Sequence, residues 1–578
     1  MQCDEQGGEH DMASVKKPSP AGKVERELVS PSDMVRGLMP LSGGAVVNRI
    51  LEMESPEKFV RALSRVDLYW LMKKVGEEDA LPLLKLASIE QWQFMLDLEL
   101  WDRDRLDLER TTLWLGSLFQ ADPERVARWL LNEGELLTFF YLSHMIEVQA
   151  KSKDEVLEDA SFLTFDDVYY FRALSGEQED FIHDLLHRLA EMDYLSYQSM
   201  MTGLAGTLRD EVEEEVYRRR NVRIAEDGFL PYEEAVALYA HVDLGALKTE
   251  KSFVAPAGPE DDAPSAPLAP MLQVGEESLM VEAVRGDPLL LDRVRVEFAG
   301  LCNQAISADR VRVSDAEDLV KVCRKVVGYI NVGLERLAGR DLDLAQDYLR
   351  KNPLQQIFRA GFSLALDLKW DVERWLKSAW FIRQGLKPGF WGDWGGTLVG
   401  ILQKRPLLYK GAKSQQPYGD VENTAEVEKS RETLRQMMAV DELLERLSSD
   451  YPVDKQWSRD PLFTFHSLLF NFWARQRLKI APGFAPLPLE EVRNFFRSVR
   501  SGAEKPPFNM QGFKEVFVRD MTARLTDLEP EKIKILQETL SLVWEKFTEE
   551  YAWVATADLD GRYLKFILTA PSPEAAPR

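Results

Sequence analysis

The strongest constraint on what this chain can fold into is a run of short amphipathic helices, each with its own start and stop, between Ala62 and Gln149. Just before it, Ser55-Pro56 reads as an N-cap followed by proline at the first helical position, where the missing N–H costs nothing. Asp67 is placed to cap the next helix, with Leu68, Leu71, Met72 and Val75 on its apolar face and Gly76 as its left-handed stop. Ser88 and Gln91 have capping-box spacing. Asp122-Pro123 repeats the cap-plus-proline start, and Gly134 is expected to end that helix. Leu136 to Val148 is apolar on nearly all sides, as in a central helix covered by its neighbours. Each stripe is too small to be stable alone, so the helices need one another. Connections of a few residues make consecutive helices antiparallel hairpins. The expected fold is all-α, an array of helix hairpins in two or three blocks. The recurrence has no fixed period, which leaves a superhelical arrangement open.

Composition shifts divide the chain of 578 residues. Residues 1–30 are polar, with glycine and proline, and read as a disordered arm. An N-terminal helical array spans 46–248. Residues 249–275 hold Pro256, Pro259, Pro264, Pro267 and Pro270 and read as an extended linker. A middle helical block spans 276–410, in which Pro353 begins one helix and Asp371 another. A second linker is expected at 411–425 and a C-terminal block at 426–570, with 571–578 a tail. In that block Leu462 to Leu478 is another all-round apolar helix carrying His466, read as a satisfied core histidine. Pro530 begins the last long helix. Asp560-Gly561 is either a hairpin turn or the cap of a short final helix.

Charge and cysteine usage exclude some function classes. A formal net charge of −24 disfavours binding to nucleic acid and to anionic membranes. The three cysteines, Cys3, Cys302 and Cys323, form no CxxC pair and no disulfide framework, which fits a reducing cytoplasm. Cys302 and Cys323 lie in apolar helical surroundings and read as buried structural thiols. Apolar stretches are too short to span a bilayer, and the N-terminus lacks an apolar h-region. The chain is therefore expected to be cytoplasmic, with no membrane insertion.

Two segments carry candidate chemistry. His183 and His187 are four residues apart, so on a helix they share one face with Glu191, the spacing of a two-histidine metal site. Asp184 stands where a zinc protease needs glutamate, and the competing reading is an ordinary helix face. Gly389 to Gly396 interleaves glycine with Trp391 and Trp394 around Asp393, a composition that can build a ligand slot. The competing reading is a tight connection whose tryptophans pack onto flanking helices. Glu211 to Arg223 runs acidic then basic. It reads as a helix with dipole-matched charge and pairs such as Glu214–Arg218 and Glu215–Arg219, ahead of the alternative, an anion-binding arginine cluster. No nucleophile–base pair or phosphate loop is present, so no catalytic or cofactor-binding residue is assigned and no cofactor is named.

The phrases GEEDALPLLKLASIEQWQFMLDLELWDRDRLD, RNVRIAEDGFLPYEEAVALYAHVD and NPLQQIFRAGFSLAL resemble a large uncharacterised bacterial α-helical family, a domain of unknown function. The resemblance covers the chain from about Leu38 to Leu568 and implies a helical fold. Residues 64–101 also resemble the helical regulatory domain of bacterial magnesium channels, which uses short units of acidic turn and Leu-rich helix. Two functions are consistent with this reading. One is a helical scaffold or regulatory protein that binds other proteins. The other is a small-molecule- or metal-binding protein, with enzymatic chemistry open, whose site lies between helical blocks. The absence of catalytic motifs favours a non-enzyme.

Overall fold

A computed structural model describes residues 31–38, 40–151, 161–206, 210–247, 278–500, 505–523, 525 and 528–570. The expected arm at 1–30, the expected linker at 249–275 and the tail at 571–578 lie outside the described residues, except Ser30's neighbours from Pro31 onward. The described residues are mostly α-helical, with only short strands. Their buried apolar side chains form one connected cluster from Val35 to Leu568. Among them no helix is long and apolar enough to cross a membrane.

Many helix boundaries follow the capping chemistry. The Ser88–Gln91 capping box closes in both directions and starts helix Ile89–Glu99. The Asp122 side chain accepts from the Arg125 N–H and starts helix Pro123–Leu131. Gly76, at φ 97°, stops helix Arg65–Val75. The cap of that helix is Ser64 rather than Asp67. Ser64 Oγ accepts the Asp67 N–H at 3.0 Å, because serine at this position reaches the third helical amide while Asp67 is already inside the first turn. Gly134 does not end its helix. The helix stops at Leu131, and Gly134 precedes the next one, Glu135–Met145.

The apolar run after Leu136 is only partly helical. It ends at Met145, and Ile146–Ala150 continues as a strand antiparallel to Tyr169–Ala173, with Leu163–Thr164 on the far side. Ile146 and Val148 alternate with Glu147 and Gln149, a period-two pattern that suits a half-buried strand.

The middle block is built on one helix pair. Helices Ala316–Ala338 and Leu354–Leu376 make the most extensive helix contact among the described residues. A methyl group on Gly361 would overlap the Tyr329 carbonyl oxygen, and one on Gly333 would overlap the Ile357 carbonyl oxygen. The backbones therefore touch where only glycine fits. Helix Leu354–Leu376 also runs straight through Asp371, where a new start was expected. Leu368, Val372 and the half-buried Trp375 continue its apolar stripe, and no proline or glycine follows Gly361 in the helix.

At the expected second linker, Leu408–Tyr409 pairs with Tyr418–Gly419, Val421 is buried, and helix Thr424–Asp450 begins under an Asn423 cap. The Asp441 carboxylate on that helix accepts the backbone N–H groups of Trp380 at 2.8 Å and Phe381 at 3.0 Å. The C-terminal core surrounds helix Phe465–Arg477. Phe470 stacks on Phe547 at 4.3 Å, and Trp473 meets Trp544 edge-on at 5.3 Å. Buried Asn471 holds the chain end, accepting from the Leu568 N–H at 2.8 Å and donating to the Leu568 carbonyl at 3.0 Å. At the end of the chain Asp560 caps a short 3-10 turn, Gly561–Tyr563, which decides between the two expected readings.

His466 is a core residue, but its Nε2 has no hydrogen-bond partner among the described residues. Burial, helped by the Lys546 charge, pushes its imidazole down to about 3. Its folded value lies below the unfolded one, so its contribution is intact above the unfolded value and is lost as pH falls toward the folded one. Urea unfolding is expected to lose about 2 kcal/mol through this residue between about pH 6.5 and pH 5, and His466→Phe to lack that part of the slope. The glycine contacts give a second expectation. Gly361→Ala should destabilise the chain by about 1–3 kcal/mol or more through overpacking. Gly116→Ala, in helix Leu108–Ala121 with nothing within 4 Å, should stabilise it by about 0.5–1 kcal/mol. Equal effects in urea titrations would contradict the backbone contact.

Candidate functional site

The N-terminal array and the middle block meet along a tight seam. Gly228, at φ 84°, packs its backbone against Gly300, and a methyl group there would sit 2.9 Å from the Gly300 Cα. Asn303 donates to the Asp227 carbonyl at 2.6 Å, and Tyr239 donates to Asp309 at 2.8 Å. Beside this seam a cleft of about 430 Å³ opens.

Residues from several elements line it, Tyr232 and Glu233 of the short helix Tyr232–Ala235 among them. Helix Arg65–Val75 contributes Tyr69 and Trp70. The tight hairpin joining Trp101–Asp102 to Arg105–Leu106 contributes Trp101 and Arg103. Helix Asp210–Ala225 contributes Tyr217 and Arg220, and the end of helix Pro288–Asp309 contributes Arg310 and Arg312. Arg103 and Arg310 both sit in left-handed backbone, at φ 63° and 52°. For a residue with a side chain that conformation is uncommon and costs about 1 kcal/mol or more. Two of the four non-glycine residues with positive φ among the described residues therefore line this one cleft.

Arg220 and Arg310 rest on aromatic faces rather than on carboxylates, whereas Arg312 reaches Asp107 at 3.6 Å. The Arg310 guanidinium lies 3.7 Å from the Tyr232 ring centroid. That of Arg220 lies 5.6 Å from Trp101 and 5.8 Å from Tyr217, while its Nε donates to the Asp97 carbonyl at 2.5 Å. Burial holds the Arg220 guanidinium below its ordinary value. Among the described residues Arg103, Arg220 and Arg310 make no ion pair. Trp70 is 2% exposed, and its indole N–H has no acceptor among the described residues. A buried donor left unpaired costs about 1–3 kcal/mol.

The charge behind the cleft is already neutralised. Glu99 is buried and takes Lys73 Nζ at 2.6 Å, the Tyr69 hydroxyl at 2.8 Å and the Arg110 guanidinium. Lys73, also buried, reaches Glu77 at 2.8 Å. Burial, then the Glu99 charge, pushes the Tyr69 hydroxyl well above its ordinary value, so it donates at every physiological pH. Nothing in this group is arranged as a nucleophile with a base. The arrangement offers a binding surface of cations, aromatic planes and one free N–H.

The residues singled out from the sequence lie elsewhere. His183 and His187 share a face of helix Glu179–Met192, with parallel rings 6.2 Å apart and Phe165 edge-on to both. Their side chains are 42% and 52% exposed, and Glu191 Oε1 is 3.8 Å from His187 Nδ1. Among the described residues no group of three or more His, Cys, Asp or Glu is arranged to hold a metal. Trp391 is fully buried against Trp375, Phe381, Phe390 and Phe465, and Trp394 stacks on Phe465 at 4.7 Å. Asp393 is exposed at the start of helix Asp393–Ile401. The rings of this segment are thus spent on packing. In the acidic-to-basic stretch, Glu215 binds both Arg218 at 2.8 Å and Arg219 at 2.7 Å, and Arg223 pairs with Asp97. Arg220 alone turns to the cleft. Cys302 and Cys323 are buried free thiols with their sulfurs 3.8 Å apart.

Removing Glu99 leaves the buried Lys73 with only Glu77, a carboxylate more exposed than the one it loses. Glu99→Ala is expected to destabilise the chain by about 3 kcal/mol, and Lys73→Met with Glu99→Leu together to recover most of that loss, as read by urea unfolding. A double variant no more stable than Glu99→Ala would contradict a buried pair.

No curated protein and no solved structure matches the chain. A family model does, over residues 23–570, and its description assigns no function. By that match the chain belongs to DUF6178, a family of unknown function.

Proposed function

We propose that this chain is a helical regulatory protein that binds a small anionic ligand in the cleft between its N-terminal array and its middle block. The observation that carries this reading is the unpaired indole N–H of Trp70 in the wall of a cleft where Arg103, Arg220 and Arg310 make no ion pair among the described residues. In a chain with a net charge of −24, cations left unpaired around an enclosed aromatic space suit a negatively charged guest. Because two blocks line the cleft, a guest held there adds to their docking. That is a route to regulation. The reading is of a binding protein rather than an enzyme, located in the cytoplasm, which the two adjacent free thiols support.

A second function, the docking of another protein, draws on a different surface. A groove of about 410 Å³ runs between helices Thr424–Asp450 and Pro530–Tyr551. Met438, Ala439 and Ile535 line it, with Arg435, Glu442 and Lys532 also present, a profile suited to an amphipathic helix.

Native mass spectrometry of the full chain against a panel of aromatic carboxylates, sugar phosphates and nucleotides tests the first reading. At least one anion is expected to bind in one-to-one ratio and to lose at least tenfold in affinity in Arg220→Ala. Binding unaffected by that substitution, or no binding by any anion, would sink the cleft as the site. A salt-resistant protein partner released by Ile535→Glu would support the second function.

A further inference from the structure

Resting on the cleft as a ligand site, we infer that its guest is a nucleoside phosphate. The cleft combines three chemistries that such a molecule needs together. Arg220 and Arg310 present planar donors without carboxylate partners, the geometry that grips phosphate oxygens. Its aromatic walls, including Trp101 and Tyr217, offer flat faces for a base. The buried Trp70 N–H supplies one directional donor for a ring nitrogen or carbonyl. Exposed carboxylates also line the opening. Asp102 and Glu233 are acceptors of the kind that take hydroxyl donors from a ribose.

Simpler anions use only part of this. Free phosphate would leave most of about 430 Å³ empty and the Trp70 donor far from any acceptor. A sugar phosphate has no flat ring to set against the aromatic walls. An aromatic carboxylate has a plane and a charge but no hydroxyls for the carboxylates at the opening. Long nucleic acid is opposed by the net charge of −24 outside the cleft.

The two left-handed arginines strengthen the inference. Arg310 is the C-cap of helix Pro288–Asp309, at φ 52° and ψ 39°, a place where glycine is the least strained residue. An arginine held there is better explained by what its guanidinium meets than by the backbone it strains. The same position gives a clean test. Arg310→Gly removes the guanidinium while relieving the backbone, so the variant keeps the fold.

Isothermal titration of the full chain with AMP, GMP, adenosine, inorganic phosphate and benzoate decides the matter. Expected is binding of AMP or GMP, with adenosine and phosphate each at least thirtyfold weaker (about 2 kcal/mol). Arg310→Gly should weaken the nucleotide at least tenfold and leave adenosine within threefold. Trp70→Phe should weaken nucleotide and adenosine alike. Benzoate binding tighter than either nucleotide, and lost in Arg310→Gly, would overturn the nucleoside phosphate while keeping the cleft as an anion site. Failure of all five probes to bind a folded chain would overturn the nucleoside phosphate too. Nucleotide binding unchanged in both variants would overturn the inference and the cleft together.

Discussion

The rest of the structure depends on the backbone contact between helices Ala316–Ala338 and Leu354–Leu376. Side chains normally keep helix axes about 8–10 Å apart. Here Gly333 and Gly361 remove them, and each helix presses on the other's carbonyls. One turn earlier, Gly328 admits the Val421 carbonyl in the same way, which sets the chain's entry into helix Thr424–Asp450. Helix Pro288–Asp309 packs on both members of the pair, so its C-terminus and Arg310 inherit that geometry. A chain of packing contacts therefore leads from three glycines to the position of one cation at the cleft.

Electrostatics in the cleft follow from which charges are settled before a guest arrives. Glu99 is the most buried carboxylate of its wall, and Lys73, Arg110 and Tyr69 occupy it. Arg223 occupies Asp97 in a two-pronged pair at 2.7 Å on both arms. With the interior carboxylates taken, Arg220 and Arg310 rest against aromatic faces, and Arg220 also donates to the Asp97 carbonyl. An exterior field from a net charge of −24 fades within about 8 Å at physiological salt. Short-range cations inside the cleft then dominate what a small anion meets.

The helical fold was legible because its signals are local. Ser88 with Gln91, Asp122 with Pro123, and Pro530 each name a helix start within four residues, and each start is where those residues put it. Errors came where a local pattern had two readings. An apolar run such as Leu136 to Val148 fits helix or strand until a partner strand, Tyr169–Ala173, is known. Asp371 has the chemistry of a cap, but Leu368 and Val372 keep the helix going around it. The cleft was illegible for a different reason. Trp70, Arg103, Arg220 and Arg310 are spread over some 240 residues of sequence, and no spacing rule links them. Only Arg220 lay in a stretch that drew notice. There the helix-stabilising reading was right for Glu215–Arg219, while Arg218 turns to Glu215 rather than Glu214, and the reading missed Arg220. Trp391 and Trp394 drew notice through unusual composition, which here reflects dense aromatic packing.

The backbone at Arg310 has a consequence for how this family drifts. Any arginine codon becomes a glycine codon by a single base change, and at a left-handed helix terminus glycine is the residue folding prefers. Mutation thus supplies the replacement continually, and stability offers no resistance to it. Arginine persists at such a position only where something other than folding keeps it. On the proposed reading of the cleft, the residue at this helix end is a gauge of use: descendants that bind a guest there retain the cation, and those that do not slide to glycine.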